Sequence, residues 1–332
     1  DLNSLQQQDF GDSTDFDKSV NGVYQAVANG RKPQFSDDSR YLYFGLRERQ
    51  VFQKDTLLER EKVNIDIWHY QDLQIQPQQL LQKDQALKRG LLCVYDLQND
   101  RLTPLENDTL NVSLDLHMTA PYLVATNSDP YAIQAQWEAP SKADYYRISV
   151  ETGQKVLLGK GLSYTGELSA DGRFFSYFFS DKQQWMLLDI EKESRTCMNC
   201  SRKDLVWTED LNGQPMAAGP VGFVGYTKDA KMVCLQSEFD IWTYDVATKT
   251  LQSVSNEAAT KDQIELRFTR YNQDSAWLNF QEGYFIGLRK SNKNELLYFF
   301  DKGQIKQKME VAQRIAGLQK AESQDQFLLR KM

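Results

Sequence analysis

Period-two alternation rich in Tyr, Phe, Trp, Val and Leu recurs along this chain, interrupted by clusters of Asp, Asn, Gly and Lys. Helical periodicity is scarce. Side chains on a strand alternate between two faces, so the pattern predicts short β-strands joined by tight turns. The clearest stretch is residues 167–196, ELSADGRFFSYFFSDKQQWMLLDIEKESRT. Asp171-Gly172 marks a hairpin turn, because glycine accepts the positive φ that tight turns require. RFFSYFF then leads through SDKQQ into WMLLDI, and EKES closes the run. This is a meander of antiparallel strands.

The same unit recurs. PQFSDDSRYLYFGL (33–46) has the same order of aromatic, Ser, acidic pair, Arg and alternating aromatics. Further copies are VGYTKDAKMVCLQSEFDIWTYDVATKTLQSV (224–254) and TRYNQDSAWLNFQ (269–281) with NELLYFFDKGQIKQ (294–307). HMTAPYLVATNS with YYRISVETGQKVLL, and LQKAESQDQFLLRK near the end, are weaker ones. Turn positions near 37, 119, 171, 229, 274 and 324 are separated by about 45 to 58 residues, apart from the first interval, which carries an insertion. A lone meander cannot cover both of its faces, whereas neighbouring meanders can cover each other. Units of this size are β-propeller blades. The expected fold is therefore all-β: a propeller of four-stranded antiparallel blades, about six blades or part-blades in all.

DIWHY (66–70) and DIWTY (240–244) are expected to fill the same strand slot in two blades. Asp66, Trp68, Asp240 and Trp242 are then equivalent blade positions, with Trp185 a third tryptophan packed between sheets. Ser36, Asp38 and Arg40, like Asp171, Gly172 and Arg173, are read as structural turn positions. Asp37, Asp38, Asp171 and Asp229 resemble paired carboxylates, but they sit where turns favour Asp for backbone bonding. Residues 1–30 are expected to be a partial blade or linker, and 31–332 the propeller. The interval 47–90 is an insertion with the dense charge run RERQVFQKDTLLEREK. Within it, QPQQLLQKDQALKRG carries Leu80, Leu81 and Leu87 at roughly helical spacing, with Gly90 as a C-terminal stop. A short rim helix is expected there, on an excursion of the kind that carries binding function in many folds.

Composition narrows the function classes. The chain has 332 residues, 41% hydrophobic and 12% aromatic, with formal net charge −7. That balance argues against a nucleic-acid partner, since phosphate binding needs clustered Lys and Arg. Apolar runs fall far short of the roughly 20 residues of a membrane helix. No signal-peptide-like segment stands near Asp1, and the chain does not begin with Met, as expected of a processed or excised piece of a longer protein.

Chemistry-bearing motifs are few. Cys93 and Cys234 sit in apolar runs and read as core residues. Cys197 and Cys200 form a C-x-x-C with no second pair for zinc and no strand-helix setting for thioredoxin-like redox work. They read as a loop pair, disulfide-bonded if the compartment is oxidising. His69 lies opposite Trp68 in the expected strand, where the other copy has Thr243, and His117 has no motif around it. GLSYTG (161–166) has the wrong spacing for a nucleophile elbow. No phosphate loop and no H-E-x-x-H occurs. The chain alone is expected to hold no catalytic residue, cofactor or metal.

The order of PQFSDDSRYLYFGL, the charged excursion, VNIDIWHYQDLQIQPQQL and LLCVYDLQND resembles the propeller of large secreted peptidases of the prolyl oligopeptidase family, of the Bacteroidetes type. GPVGFVGYTKDAKMVCLQSEFDIWTYDVATKTLQSVS resembles a later blade of the same proteins. The resemblance spans roughly residues 30–330 and is strongest at 33–96 and 219–254. It implies a non-catalytic, dipeptidyl-peptidase-like propeller that filters peptide access to an α/β-hydrolase serine active site outside this chain. Peptides would be partners through that linked domain, and the location would be periplasmic, cell-envelope or secreted. Some relatives bind a substrate's N-terminus with paired glutamates from the propeller, and no acidic pair here maps onto that role. The other reading is a stand-alone envelope propeller that binds protein or glycan.

Overall fold

The computed structural model describes residues 24–27, 31–48, 65, 67–115, 117–271, 277–301, 303–321 and 326–331. The chain is all-β and of the β-propeller class, and it divides into two compact units, residues 1–161 and 162–332. Among the described residues there are six antiparallel sheets: four of four strands, one of five and one of two.

The first unit holds two of them. In the first sheet, β1 (Tyr24–Val27) and β2 (Gln34–Phe35) both pair with β3 (Tyr41–Glu48), followed by β4 (Leu91–Asp96) and β5 (Arg101–Pro104). The second runs β6 (Asn111–Ser113), β7 (Tyr122–Asn127), β8 (Ala143–Ser149) and β9 (Lys155–Leu162). Burial along β3 and β4 is nearly continuous because both faces of the sheet are covered. Tyr41, Tyr43, Leu92 and Val94 pack with Leu123 and Ile148 of the second sheet. Leu42, Phe44, Cys93 and Tyr95 fill the other face.

The second unit repeats the plan. Its first blade runs β10 (Tyr164–Leu168), β11 (Phe174–Phe179), β12 (Gln184–Asp189) and β13 (Ser194–Cys197). Next come β14 (Gly222–Tyr226), β15 (Met232–Gln236), β16 (Ile241–Asp245) and β17 (Thr250–Ser253). The third is β18 (Ile264–Arg270), β19 (Gly283–Arg289), β20 (Glu295–Asp301) and β21 (Gln304–Val311), and β22 (Ile315–Lys320) pairs with β23 (Phe327–Lys331). Alternation assigns each face. Val233, Leu235, Trp242 and Tyr244 meet Phe178 and Trp185 of the preceding blade. Cys234 and Ile241, one residue out of phase, meet Leu266, Phe285 and Leu296 of the following one. The β14–β17 sheet thereby loses both apolar faces to its neighbours, the condition under which a thin meander is stable.

Trp185 and Trp242 are buried in one shared core from opposite sides. Asp189 ends β12 and Asp245 ends β16, each opposite the first residue of the preceding strand. Trp185 lies four positions before its aspartate and Trp242 three before its own, so the two indoles point from facing sides of adjacent sheets.

The turns are one device written three times. Ser36 Oγ donates to Asp38 Oδ1 (2.6 Å), the Arg40 amide donates to the same oxygen, and the Tyr41 amide donates back to Ser36 Oγ. Ser169, Asp171, Arg173 and Phe174 repeat this arrangement, and so do Thr227, Asp229, Lys231 and Met232. Arg40 and Arg173 each reach the strand-end aspartate, Asp96 at 3.0 Å and Asp189 at 2.9 Å. Lys231 instead pairs with Asp229. The tightest point has φ near +60°. Gly172 adopts it freely (69°), whereas Ser39 (56°) and Ala230 (53°) do so at a cost of about 1 kcal/mol.

These contacts carry a pH signature. The Ser36 hydroxyl lowers the Asp38 pKa, and the Thr227 hydroxyl and Lys231 lower that of Asp229 to about 2. Burial raises Asp96 and Asp189, but hydrogen bonds led by Arg40 and Arg173 outweigh it and leave both lowered. Depressed carboxylates contribute stability that is complete above the ordinary value of 3.8 and lost as pH falls through the folded values. Urea midpoints should be flat from pH 7 to about 5 and fall steeply from about 4 towards 2. An Asn variant at Asp96 or Asp189 that kept the wild-type acid slope would contradict this assignment.

DIWHY does not fill the expected slot. Residues 67–69 form no strand, Asp66 lies outside the described residues, and Trp68 is 68% exposed while Trp242 is 1% exposed. The slot beside β3 is taken by LLCVYD, with Leu42 opposite Tyr95 and Tyr41 opposite Asp96. With β4 in that place and β1 and β2 along the other edge of β3, 67–70 has no place in that ladder. His69 likewise lies in a turn, not on a strand face. The expected helix is present as α1 (Gln76–Lys88), entered through Pro77 and followed by Gly90. Leu80 and Leu81 are exposed on it. The expected turns near 274 and 324 fall outside the described residues.

Candidate functional site

The richest exposed chemistry lies in the first unit, where the excursion between β3 and β4 meets the connection between β7 and β8. On the excursion, a tight turn closes with the Asp72 amide donating to the His69 carbonyl (3.1 Å). The Gln71 amide donates to His69 Nδ1 (3.2 Å), so the neutral ring carries its proton on Nε2. The His69 and Tyr70 rings lie 4.9 Å apart, and Gln71 Nε2 donates to the Tyr70 hydroxyl. Asp72 Oδ2 accepts from the His69 amide at 3.3 Å. Gln79 of α1 ties down the Gln74 carbonyl at 2.7 Å.

The facing wall comes from two short 3-10 turns, Asp129–Tyr131 and Gln134–Gln136. Asp129-Pro130 starts the first of them, where proline's fixed φ suits the initial helical position. Tyr131 anchors this wall: its hydroxyl donates to Asp144 Oδ1 (2.6 Å), which also accepts from the Gly161 amide. Gln136 Nε2 reaches the Leu73 carbonyl at 3.5 Å and joins the two walls. Between them lies a cavity of about 350 Å³, lined on its apolar side by Trp68, Tyr70, Ile75, Ile133 and Trp137. Tyr70 is 84% exposed and Trp137 68%. Exposed indole and phenol faces gathered on one cavity make it the candidate binding surface, since scattered apolar residues do not cluster so.

Trp137 and Ile133 were not singled out by the sequence. The available signal was a tryptophan in QAQWEAP, outside any alternating run and just before a proline. His117, without a motif in sequence, is placed by the fold against Asp37, Nδ1 to Oδ2 at 2.6 Å. Cys197 and Cys200 are disulfide-bonded, and Asn199 inside that loop accepts from the Trp185 amide and donates to the Gln183 carbonyl. Cys93 and Cys234 are buried, and burial pushes the Cys93 thiol up to about 12. Both are inert packing residues.

In the second unit, the first strands of three blades bring Glu167, Gly225 and Arg270 together. A Cβ on Gly225 (φ +137°) would stand 3.2 Å from Arg270 Nη2 and 3.8 Å from Glu167 Oε2. Surrounding protein raises the Glu167 pKa and Arg270 opposes the rise, although the carboxylate stays open to solvent on one side. Among the described residues, no group of three His, Cys, Asp or Glu is placed to hold a metal. No described helix is long and apolar enough to cross a membrane.

No family model matches the chain, and no curated protein matches it. Among solved structures it is similar to Porphyromonas gingivalis dipeptidyl peptidase 4, with TM-score 0.44 and 10% identity over 92% of this chain and 45% of that one. It is similar also to Pyrococcus horikoshii acylaminoacyl peptidase, with TM-score 0.39 and 12% identity over 90% of this chain and 41% of the other. A third is the Cps50 (Swd1) β-propeller domain of Myceliophteria thermophila, with TM-score 0.32 and 11% identity over 89% and 91% of the two chains. The chain thus spans less than half the length of either peptidase. At these scores and identities the likenesses identify neither a family nor an activity.

Proposed function

We propose that this chain is the non-catalytic propeller of a serine peptidase, gating peptide access to an α/β-hydrolase active site outside the chain. The observation that carries the reading is a coincidence of sequence and fold. The stretch 219–254, which resembles a blade of prolyl oligopeptidase-family enzymes, folds as one complete four-stranded sheet, β14 to β17. The stretch 33–96 supplies β2 to β4 and the excursion between them. The Cys197–Cys200 disulfide supports an oxidising compartment such as a periplasm or the cell exterior.

A serine-directed phosphonate should abolish peptide hydrolysis by the parent protein. The chain expressed alone should cleave no peptide amide. Deleting residues 31–332 from the parent should also admit folded or long polypeptides that the intact enzyme refuses. A parent untouched by the phosphonate, or one whose length discrimination survives the deletion, would remove the basis for the proposal.

A further inference from the structure

We propose that the cavity between the excursion and the β7–β8 connection is a binding site for a neutral carbohydrate. This goes beyond the peptidase reading and holds with or without a linked hydrolase.

The case rests on three properties of the lining. First, Trp68 and Trp137, each 68% exposed, and Tyr70 present aromatic faces to one cavity of about 350 Å³. An aromatic face attracts the weakly positive C–H face of a sugar ring, and covering it removes apolar surface from water. Second, the remaining lining is rich in hydrogen-bonding groups of mixed sense. Gln74, Gln76 and Gln136 carry primary amides that both donate and accept, Asp72 is an acceptor, and His69 offers its Nε2 proton. Adjacent hydroxyls, which donate and accept in turn, match that set. Third, Asp72 is the only Asp, Glu, Lys or Arg among the described lining residues. A single carboxylate without a cation disfavours phosphate, carboxylate and nucleotide ligands.

A proline-rich peptide would also seek an aromatic-lined groove. Proline has no amide proton, so such a peptide offers carbonyl acceptors and little else. It would place nothing on Asp72, whose Oδ2 accepts at only 3.3 Å from the His69 amide. Burying that carboxylate without a donor is unfavourable, whereas a hydroxyl supplies the donor.

The test uses the whole chain and three neutral probes, cellohexaose, maltohexaose and N-acetylchitohexaose, with decaproline as the competing class. Titration calorimetry should show saturable binding of at least one oligosaccharide, accompanied by a change in tryptophan fluorescence. Trp68→Ala and Trp137→Ala should each weaken it about ten-fold or more. Asp72→Asn should weaken it less. Both tryptophans are largely exposed, so the thermal midpoints of these variants should match wild type and exclude misfolding as the cause. The proposal fails if no oligosaccharide saturates by about 10 mM. It fails equally if decaproline binds more tightly than all three, or if both tryptophan variants bind as well as wild type.

Discussion

Replacing Trp242 by Ala should destabilise the protein by about 3–5 kcal/mol, whereas the same replacement at Trp68 should change stability by no more than about 0.5 kcal/mol. The two residues sit in nearly identical pentapeptides, so any difference must come from tertiary setting. The Trp242 ring is 1% exposed and lies 6.1 Å from the Trp207 ring, centroid to centroid. The Arg202 guanidinium covers it at 4.5 Å, held there by Asp204 and Glu257. Its indole nitrogen donates to Ser237 Oγ at 3.0 Å. Removing the ring leaves a cavity walled by two sheets that cannot close independently. It also strips a partner from a buried hydroxyl. Among the described residues, Trp68 makes none of these contacts and is 68% exposed. Urea denaturation of the two variants, followed by circular dichroism, measures the contrast. Equal losses at both positions would mean that DIWHY is structural after all.

Asp240→Ala should cost about 2–4 kcal/mol, the second largest effect, because it strands several buried donors at once. Asp240 is fully buried. Oδ2 accepts from the hydroxyls of Ser253 (2.7 Å) and Ser255 (2.6 Å), and Oδ1 accepts from the Ile241 amide (2.8 Å). Ser253 and Ser255 in turn hold the amides of Glu257 and Ala259, so the carboxylate fixes the start of the short helix α2 (Ala258–Lys261). Burial raises the Asp240 pKa, and the hydrogen bonds from Ser253, Ser255 and Ile241 only partly offset it. The sign of the pH dependence follows. The folded state holds this proton more tightly than the unfolded chain, so the contribution of Asp240 is largest below the ordinary value of 3.8. It shrinks as pH rises through the elevated folded value. The stability gap between wild type and Asp240→Ala should therefore narrow with rising pH, opposite to the trend set by Asp38 and Asp229. A gap that widens would reverse the assignment.

Much of the fold was legible because its rules are local. Ser36-x-Asp38-x-Arg40 and Ser169-x-Asp171-Gly172-Arg173 close their turns with bonds among residues no more than five apart, and such contacts leave their mark in sequence order. Leu80, Leu81 and Leu87 at roughly helical spacing, with Gly90 after them, marked α1 in the same way. The candidate site was far less legible. Its two walls, around Trp68 and Trp137, lie about 70 positions apart and are joined through Gln136 and Leu73. DIWHY reads as a strand and the Trp137 stretch does not alternate, so periodicity gave no sign that they meet.

By itself, then, the sequence determined the strand rhythm, the turn chemistry and the need for neighbouring sheets, since alternation and turn preference act over a few residues. Only the tertiary structure decided which of two near-identical pentapeptides is core and which is surface. A strand exists where a partner edge is open to it. Beside β3 that edge belongs to Leu91–Asp96, while beside β15 it falls to Ile241–Asp245. Trp242 is thereby sealed between sheets and Trp68 left facing water, and no reading of five residues contains that information.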